Sequence, residues 1–418
     1  MTDTLDAVFR REAGRCTATL IRLLGDIDLA EEAVAEAFAV AAEQWPAAGI
    51  PPNPGGWITT TARNRAIDRL RRESTRTDRH IAAHLLRPAH MEPDDNPELN
   101  DIDTFVDVVA DDQLRLMFLC CHPALAADAQ VALTLRLLGG LETGEVARAF
   151  LVPEATMAQR IVRAKRKLRD NHAPYRIPAA AELPDRLDAV LAAIYLIYTE
   201  GHTATSGDTL TRADLCTEAI RLGRVLAELM PDEPEAIGLV ALMLLTEARR
   251  AARLDADGSM IRLADQDREL WDRALIDEGH KLVRACLRRN HPGPYQIQAA
   301  IAAVHADART AGDTDWSQIV ALYDQLHALR PNAVVTLNRA IAIAGLRGPA
   351  AGLAALASLD AAQLDDYQPY HAARADLLVR AGHHDEAVAA YDRAIELTSN
   401  PAERGFLRRR RSTAEGGG

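Results

Sequence analysis

The sequence predicts an all-α protein, and three observations carry that reading. Apolar residues recur at helical spacing, most clearly at Met157, Ile161, Ala164 and Leu168. The second half of the chain alternates Ala- and Leu-rich runs with short turns, and its Tyr323 and Tyr391 stand 68 residues apart, which is two periods of 34. No stretch shows the strict polar and apolar alternation of a half-buried strand.

Taken in order, Asp28 to Trp45 reads as a helix with Val34, Phe38 and Ala41 or Ala42 available for packing and the acids Glu31, Glu32, Glu36 and Glu43 outward. Trp57 to Arg76 reads as a second helix, crowded with Arg63, Arg65, Arg69, Arg71, Arg72 and Arg76 in a chain whose net charge is -12. A nucleic-acid contact and an ordinary amphipathic helix with Ile67 and Leu70 inward both fit that pattern. From Glu92 to Asp112 there are nine acids and no Lys or Arg, and Pro88, Pro93 and Pro97 favour an extended first half. Leu141 to Asp170 then reads as two short helices joined by a turn, the second beginning at Pro153 and Glu154. With Met157, Ile161, Ala164 and Leu168 turned inward, its other face carries Thr156, Gln159, Arg160, Arg163, Arg166 and Lys167, a pattern suited to a DNA groove or to solvent.

Pro174 to Pro178 and Leu183 to Asp185 punctuate a join. Beyond it, Gly382, Ala387, Tyr391 and Ala394 sit at the offsets of a tetratricopeptide unit, and Ile319, Tyr323, Leu326 and Pro331 repeat the layout. The intervening unit puts Ala357 in the aromatic's place, and Leu215 to Ala236 supplies a more degenerate copy through Ala219, Leu226 and Pro231. These segments resemble tetratricopeptide repeats, which implies an α-solenoid from about residue 210 whose concave face takes a protein or peptide partner; a generic helical bundle is the other reading.

The helices at residues 28–45 and 57–76, followed by the helix-turn-helix at 141–170, resemble in order the bacterial RNA polymerase sigma factors of the extracytoplasmic-function class, within the sigma-70 family. Cys120 to Leu141 and Tyr195 to Asp208 resemble the group of that class with a C-terminal tetratricopeptide-like extension. The resemblance implies sigma region two at residues 1–80, an acidic linker at 81–109, region four at 110–172, a helical connector at 173–209 and a regulatory domain at 210–418. It implies that Glu31, Glu32, Glu36 and Phe38 dock on core RNA polymerase. Arg63, Asn64, Arg65, Arg69 and Arg72 would bind and open the promoter's minus-ten element. Thr156, Gln159, Arg160, Arg163, Lys165 and Arg166 would read the minus-thirty-five element in the major groove. The linker either threads a polymerase channel or acts as a plain tether. Two positions depart from the class: Leu151 stands where a turn glycine is usual, and Ala158 where a polar or basic residue is usual.

Other functions find less support. Cys120, Cys121 and His122 lack a second ligand pair, His383, His384 and Asp385 read as a solvated turn, and His202, Ser206 and Asp208 have no nucleophile elbow. No catalytic residues, metal site or cofactor are expected, and neither GxGxxG nor a phosphate-binding GxxxxGK[ST] occurs. With no signal-like start and no membrane-length apolar run, a cytoplasmic location is expected. Five irregularly spaced cysteines point to reduced thiols. The alternative functions are a free-standing helix-turn-helix regulator with a tetratricopeptide sensor domain, and a scaffold.

Overall fold

The computed structural model describes residues 2–74, 112–150, 152–179, 181–203, 211–255, 258–357, 364–398 and 400–416. Among them the structure is helical, with one isolated antiparallel bridge between Leu254 and Met260. The acidic linker at 81–109, Leu151, Ser206 and Asp208 lie outside the described residues. The chain divides into two compact units, residues 1–194 and 195–418, with the division inside one helix.

In the first unit, α1 (Thr2–Leu24), α2 (Ile27–Ala48) and α3 (Pro54–Ser74) pack mutually. Asp26 caps α2 by accepting from the Leu29 amide, and Ala30, Ala33, Val34, Ala37, Phe38, Ala41 and Trp45 form its buried stripe. The packing face of α3 is Ile58, Ala62 and Ala66, spaced four apart, rather than Ile67 and Leu70, which are half-buried. Small alanines let α3 approach its neighbours closely, and Thr59 Oγ1 donates to the Gly55 carbonyl at 2.9 Å.

Residues 112–120 form α4, and α5 (Ala127–Leu133) continues through a π-turn at Thr134–Leu138. α6 (Thr143–Ala149) and α7 (Glu154–Asp170) are the two arms of the helix-turn-helix, followed by α8 (Leu183–His202). α1 packs on the π-turn, α5 packs on α7, and a Cβ added at Gly14 would stand 2.4 Å from the Leu138 carbonyl oxygen. Asp112, the last acid of the acidic string, lies buried in α4, where it accepts from Arg22 at 2.9 Å and Arg115 at 2.8 Å.

The second unit strings together α9 (Ala213–Leu229), α10 (Pro234–Glu247), α11 (Arg273–Arg289), α12 (Pro294–Asp307), α13 (Trp316–Leu329), α14 (Ala333–Arg347), α15 (Pro349–Ala357), α16 (Gln368–Ala381), α17 (His384–Leu397) and α18 (Pro401–Gly416). Most pack on their neighbours in sequence, while α12 packs chiefly on α10, and the pairs that begin at residues 316, 349 and 384 recur at nearly even spacing. Ala387, Tyr391, Ala394, Ile319 and Leu326 are buried. Ala357 is exposed, so it does not take the aromatic's place in the intervening pair; Leu356, one residue earlier, is the buried side chain there. Gly382 has φ +82 and closes α16 in the left-handed conformation that a glycine adopts without a Cβ clash.

Candidate nucleic-acid and polymerase interface

The geometry of α7 follows from its stripe. Met157, Ile161, Ala164 and Leu168 are buried, and Pro153 starts the helix by accepting from the amides of Thr156 and Met157. Thr156, Gln159, Arg160, Arg163 and Arg166 are exposed on the opposite face, Arg166 lying 3.6 Å from Asp170. Short polar groups thus precede guanidinium groups along one open surface, an order that allows base edges to be met near the helix start and phosphates farther along.

Lys165 departs from the expectation that it reads DNA. Its side chain is turned away from that face and buried, donating to Asp28 Oδ1 at 2.7 Å and also to Glu31. Arg169 pairs with Asp28, and Arg136 Nε lies 3.1 Å from Glu31. Burial pushes the Asp28 carboxyl upward, but Lys165 and Arg169 outweigh it and hold the group below its usual range. For Lys165 burial pulls the other way, and Glu31 with Asp28 keeps the ammonium above its ordinary value.

The arginines expected to touch the minus-ten element fall into three cases. Arg63 and Asn64 are exposed on α3. Arg65 meets Glu36 at 3.2 Å and Arg69 pairs with Glu32, so these cations are shared with acids of α2. Arg72 lies on the last turn of α3, and its side chain is outside the described set.

The docking candidates on α2 are also placed differently from the expectation of an open acidic face. Glu31 is half-buried against cations of the helix-turn-helix region, while Glu32 and Glu36 face the arginines of α3. Phe38 is buried, edge-on to Phe9 with ring centroids 4.7 Å apart, which makes it a packing residue. Sequence reasoning missed Asp28, Arg136, Arg169 and Tyr175. Tyr175 Oη donates to the carbonyls of Ala18 at 2.7 Å and Asp112 at 3.0 Å, tying α1 to α4.

Among the described residues no three His, Cys, Asp or Glu side chains gather to hold a metal. Burial pushes the Cys121 thiol up to about 12 and the Cys120 thiol well above its ordinary value, so both persist as thiols within the core. Burial, aided by Arg253 and Arg249, pulls His202 down to about 2 and leaves its imidazole neutral. No helix among the described residues is long and apolar enough to cross a membrane.

Two helical modules in this order, one presenting a basic helix and the next a helix-turn-helix, define a sigma-type initiation factor. A Sigma-70 region 2 family model matches residues 8–76, and a Sigma-70, region 4 model matches residues 115–168. A family of unknown function, DUF6596, matches residues 186–287. An uncharacterized protein, R00370 of Rhizobium meliloti, is 43% identical over 412 residues, covering 98% of this chain and 96% of that protein. A protein described as a probable ECF RNA polymerase sigma factor, SigI of Mycobacterium tuberculosis, is 27% identical over 182 residues, 43% of this chain and 58% of that protein. The chain belongs to the sigma-70 family as a sigma factor of the extracytoplasmic-function class, with a helical C-terminal region that includes the DUF6596 match. Core RNA polymerase and promoter DNA are the partners which that membership implies.

Proposed function

We propose that residues 1–80 dock on core RNA polymerase and open the minus-ten element, and that residues 110–172 hold the minus-thirty-five element. The acidic segment at 81–109 joins the two, and residues 173–209 connect them to a regulatory region at 210–418. The observation that carries this reading is the open face of α7, where Thr156, Gln159, Arg160, Arg163 and Arg166 lie together opposite the buried stripe. Arg63 and Asn64 on α3 are the best-placed candidates for minus-ten contacts, with Arg65 and Arg69 joining once their carboxylate partners are exchanged for phosphates, and with Arg72 as a further candidate. Glu31, Glu32 and Glu36 meet a basic polymerase surface, and Phe38 shapes that face from beneath.

The helical region from residue 210 modulates initiation by binding a protein or peptide along its successive helix pairs. Their near-even spacing and neighbour-to-neighbour packing support a solenoid. In promoter-dependent transcription with core polymerase, Arg160→Ala and Arg163→Ala should each weaken initiation by about 1–3 kcal/mol per lost base contact. Unchanged transcription in both variants would remove α7 as the reading helix. A chain ending at Thr203 keeps α8 and the Arg186 contact to the Phe118 carbonyl, and it isolates the sign of the extension. Equal activity of the short and full chains would show that the extension does not regulate the reaction.

A further inference from the structure

A cavity of about 580 Å³ opens within residues 195–418, a volume in the range of small-molecule sites. Its walls come from the loop at residues 262–268 and from α12, α13, α14 and α16. One wall is apolar and aromatic, with Trp316 and Tyr323 of α13 beside Ile319 and Ile341. Trp316 can lie against α14 because residue 345 is glycine, where an added Cβ would overlap the indole. His305 meets the same indole edge-on, with ring centroids 5.4 Å apart. Burial, aided by Arg249 and Arg268, pulls His305 down to about 4, so its imidazole brings no charge to the cavity at neutral pH.

The charge comes from arginines. Arg262, Arg268 and Arg380 line the cavity together with one carboxylate, Asp376. That carboxylate is divided among Arg410 at 2.7 Å, Arg262 at 3.0 Å and Arg380 at 3.9 Å, and Arg262 has a second acid in Asp265 at 2.7 Å. Arg268 has no such partner. It is only 8% exposed, its Nη1 donates to the carbonyls of His305 at 2.6 Å and Ala308 at 2.8 Å, and its guanidinium lies 4.6 Å from the centre of the Trp271 ring. Among the described residues it enters no ion pair, and its Nη2 and Nε make no hydrogen bond. Burial holds it below its ordinary value against the pull of Asp313. A buried cation without a paired anion is costly, and backbone carbonyls offset only part of that cost.

We propose that this cavity binds a small aromatic acid, a carboxylate or sulfonate whose charge is held by Arg268 and whose ring rests against Trp316 and Tyr323. Arg380 adds to the positive field at the mouth, where it is exposed. The site is a ligand input of its own, beyond the protein or peptide binding proposed for the same region, and its test does not depend on that reading.

Fluorescence titration of the full chain with 8-anilinonaphthalene-1-sulfonate tests the assignment. N-phenyl-1-naphthylamine, the same ring system without the acid group, is the neutral reference. The sulfonate should saturate. Arg268→Gln should weaken it about tenfold and leave the neutral dye within about twofold, since the lost contact is a charge-assisted one. Arg380→Gln should weaken the sulfonate by about two- to fivefold, with the same selectivity. Ala264 lines the cavity from an exposed position, so Ala264→Trp should fill the mouth and remove both dyes. Unlabelled 1-naphthoate should displace the sulfonate where 1-naphthamide does not. A sulfonate that fails to saturate, or that binds Ala264→Trp as it binds the wild type, overturns the inference. So does an equal loss of both dyes in Arg268→Gln, which would mark an apolar recess alone. If Arg268→Gln loses its helical circular dichroism, the selectivity of the exposed Arg380→Gln decides in its place.

Discussion

The seam within residues 1–194 is marked by a half-buried ionic network, and the interior of residues 195–418 by apolar clusters. Beside the close packing of α1 on the π-turn, the seam carries ion pairs: Lys165 with Asp28 and Glu31, Arg136 with Glu31, Arg169 with Asp28, and Arg22 with Asp112. The second unit is bound by apolar clusters, such as Ala387, Ala390, Tyr391 and Ala394 with Leu378 and Leu407, or Ala241, Leu245, Trp271 and Ala303. Half-buried ionic contacts are partly screened by salt and can be exchanged for those of another charged surface. Buried apolar contacts have no such substitute, so helices joined by them remain together. The difference matches the proposed roles, in which the helical region keeps its shape as it receives a partner.

The comparison breaks most visibly in the second unit. Tyr391→Ala should lower its stability by about 3–5 kcal/mol, seen as an early thermal transition, because the ring fills a fully packed site. Amide exchange in α2 and α7 should not respond, and a response would mean that the two interiors are not independent. A smaller effect is expected from Lys165→Ala, about 1–3 kcal/mol at the seam, since it leaves the half-buried Glu31 facing only Arg136. Amide exchange in α2 and α7 should accelerate while exchange in residues 195–418 stays constant.

Acid should loosen the same seam. The Asp28 carboxyl is held below its ordinary value, so its contribution is complete above about pH 4 and is lost as pH falls through the lowered value. Lys165 is held above its ordinary value, so its contribution is complete at neutral pH and is lost only as pH rises beyond the alkaline range in which lysines titrate. The protection of α2 and α7 amides should therefore be constant from about pH 6 to 9 and fall in acid, and a transition near neutrality would point to a different group. The smallest effect belongs to Glu36→Gln, which removes an exposed pair with Arg65 and should change stability by less than about 1 kcal/mol in chemical denaturation.

What the sequence disclosed, and what it concealed, divides along the same line. The stripe of Met157, Ile161, Ala164 and Leu168 was legible because helical periodicity is local and the residues are large and apolar. The packing face of α3 was not legible: alanines at 62 and 66 signal burial weakly, whereas Ile67 and Leu70 signal it strongly and yet are only half-buried. The burial of Lys165 was not legible, because a lysine among arginines looks like part of one basic face. Its carboxylate partners are more than 130 residues earlier in the chain, and no spacing rule connects positions so distant. The same holds for Glu31, whose neighbours on α2 give no sign that Arg136 and Lys165 approach it. Ala357 was displaced by one position because a repeat inferred from period alone fixes helices better than it fixes register.

The central claim is that this chain directs core RNA polymerase to a promoter through α3 and α7. Run-off transcription with purified core polymerase and the protein's own upstream DNA tests it most directly. A transcript from one defined start, present with the full chain, absent without it and lost with Arg160→Ala combined with Arg163→Ala, is the result the account predicts. Polymerase that starts at the same places with or without the chain would contradict it.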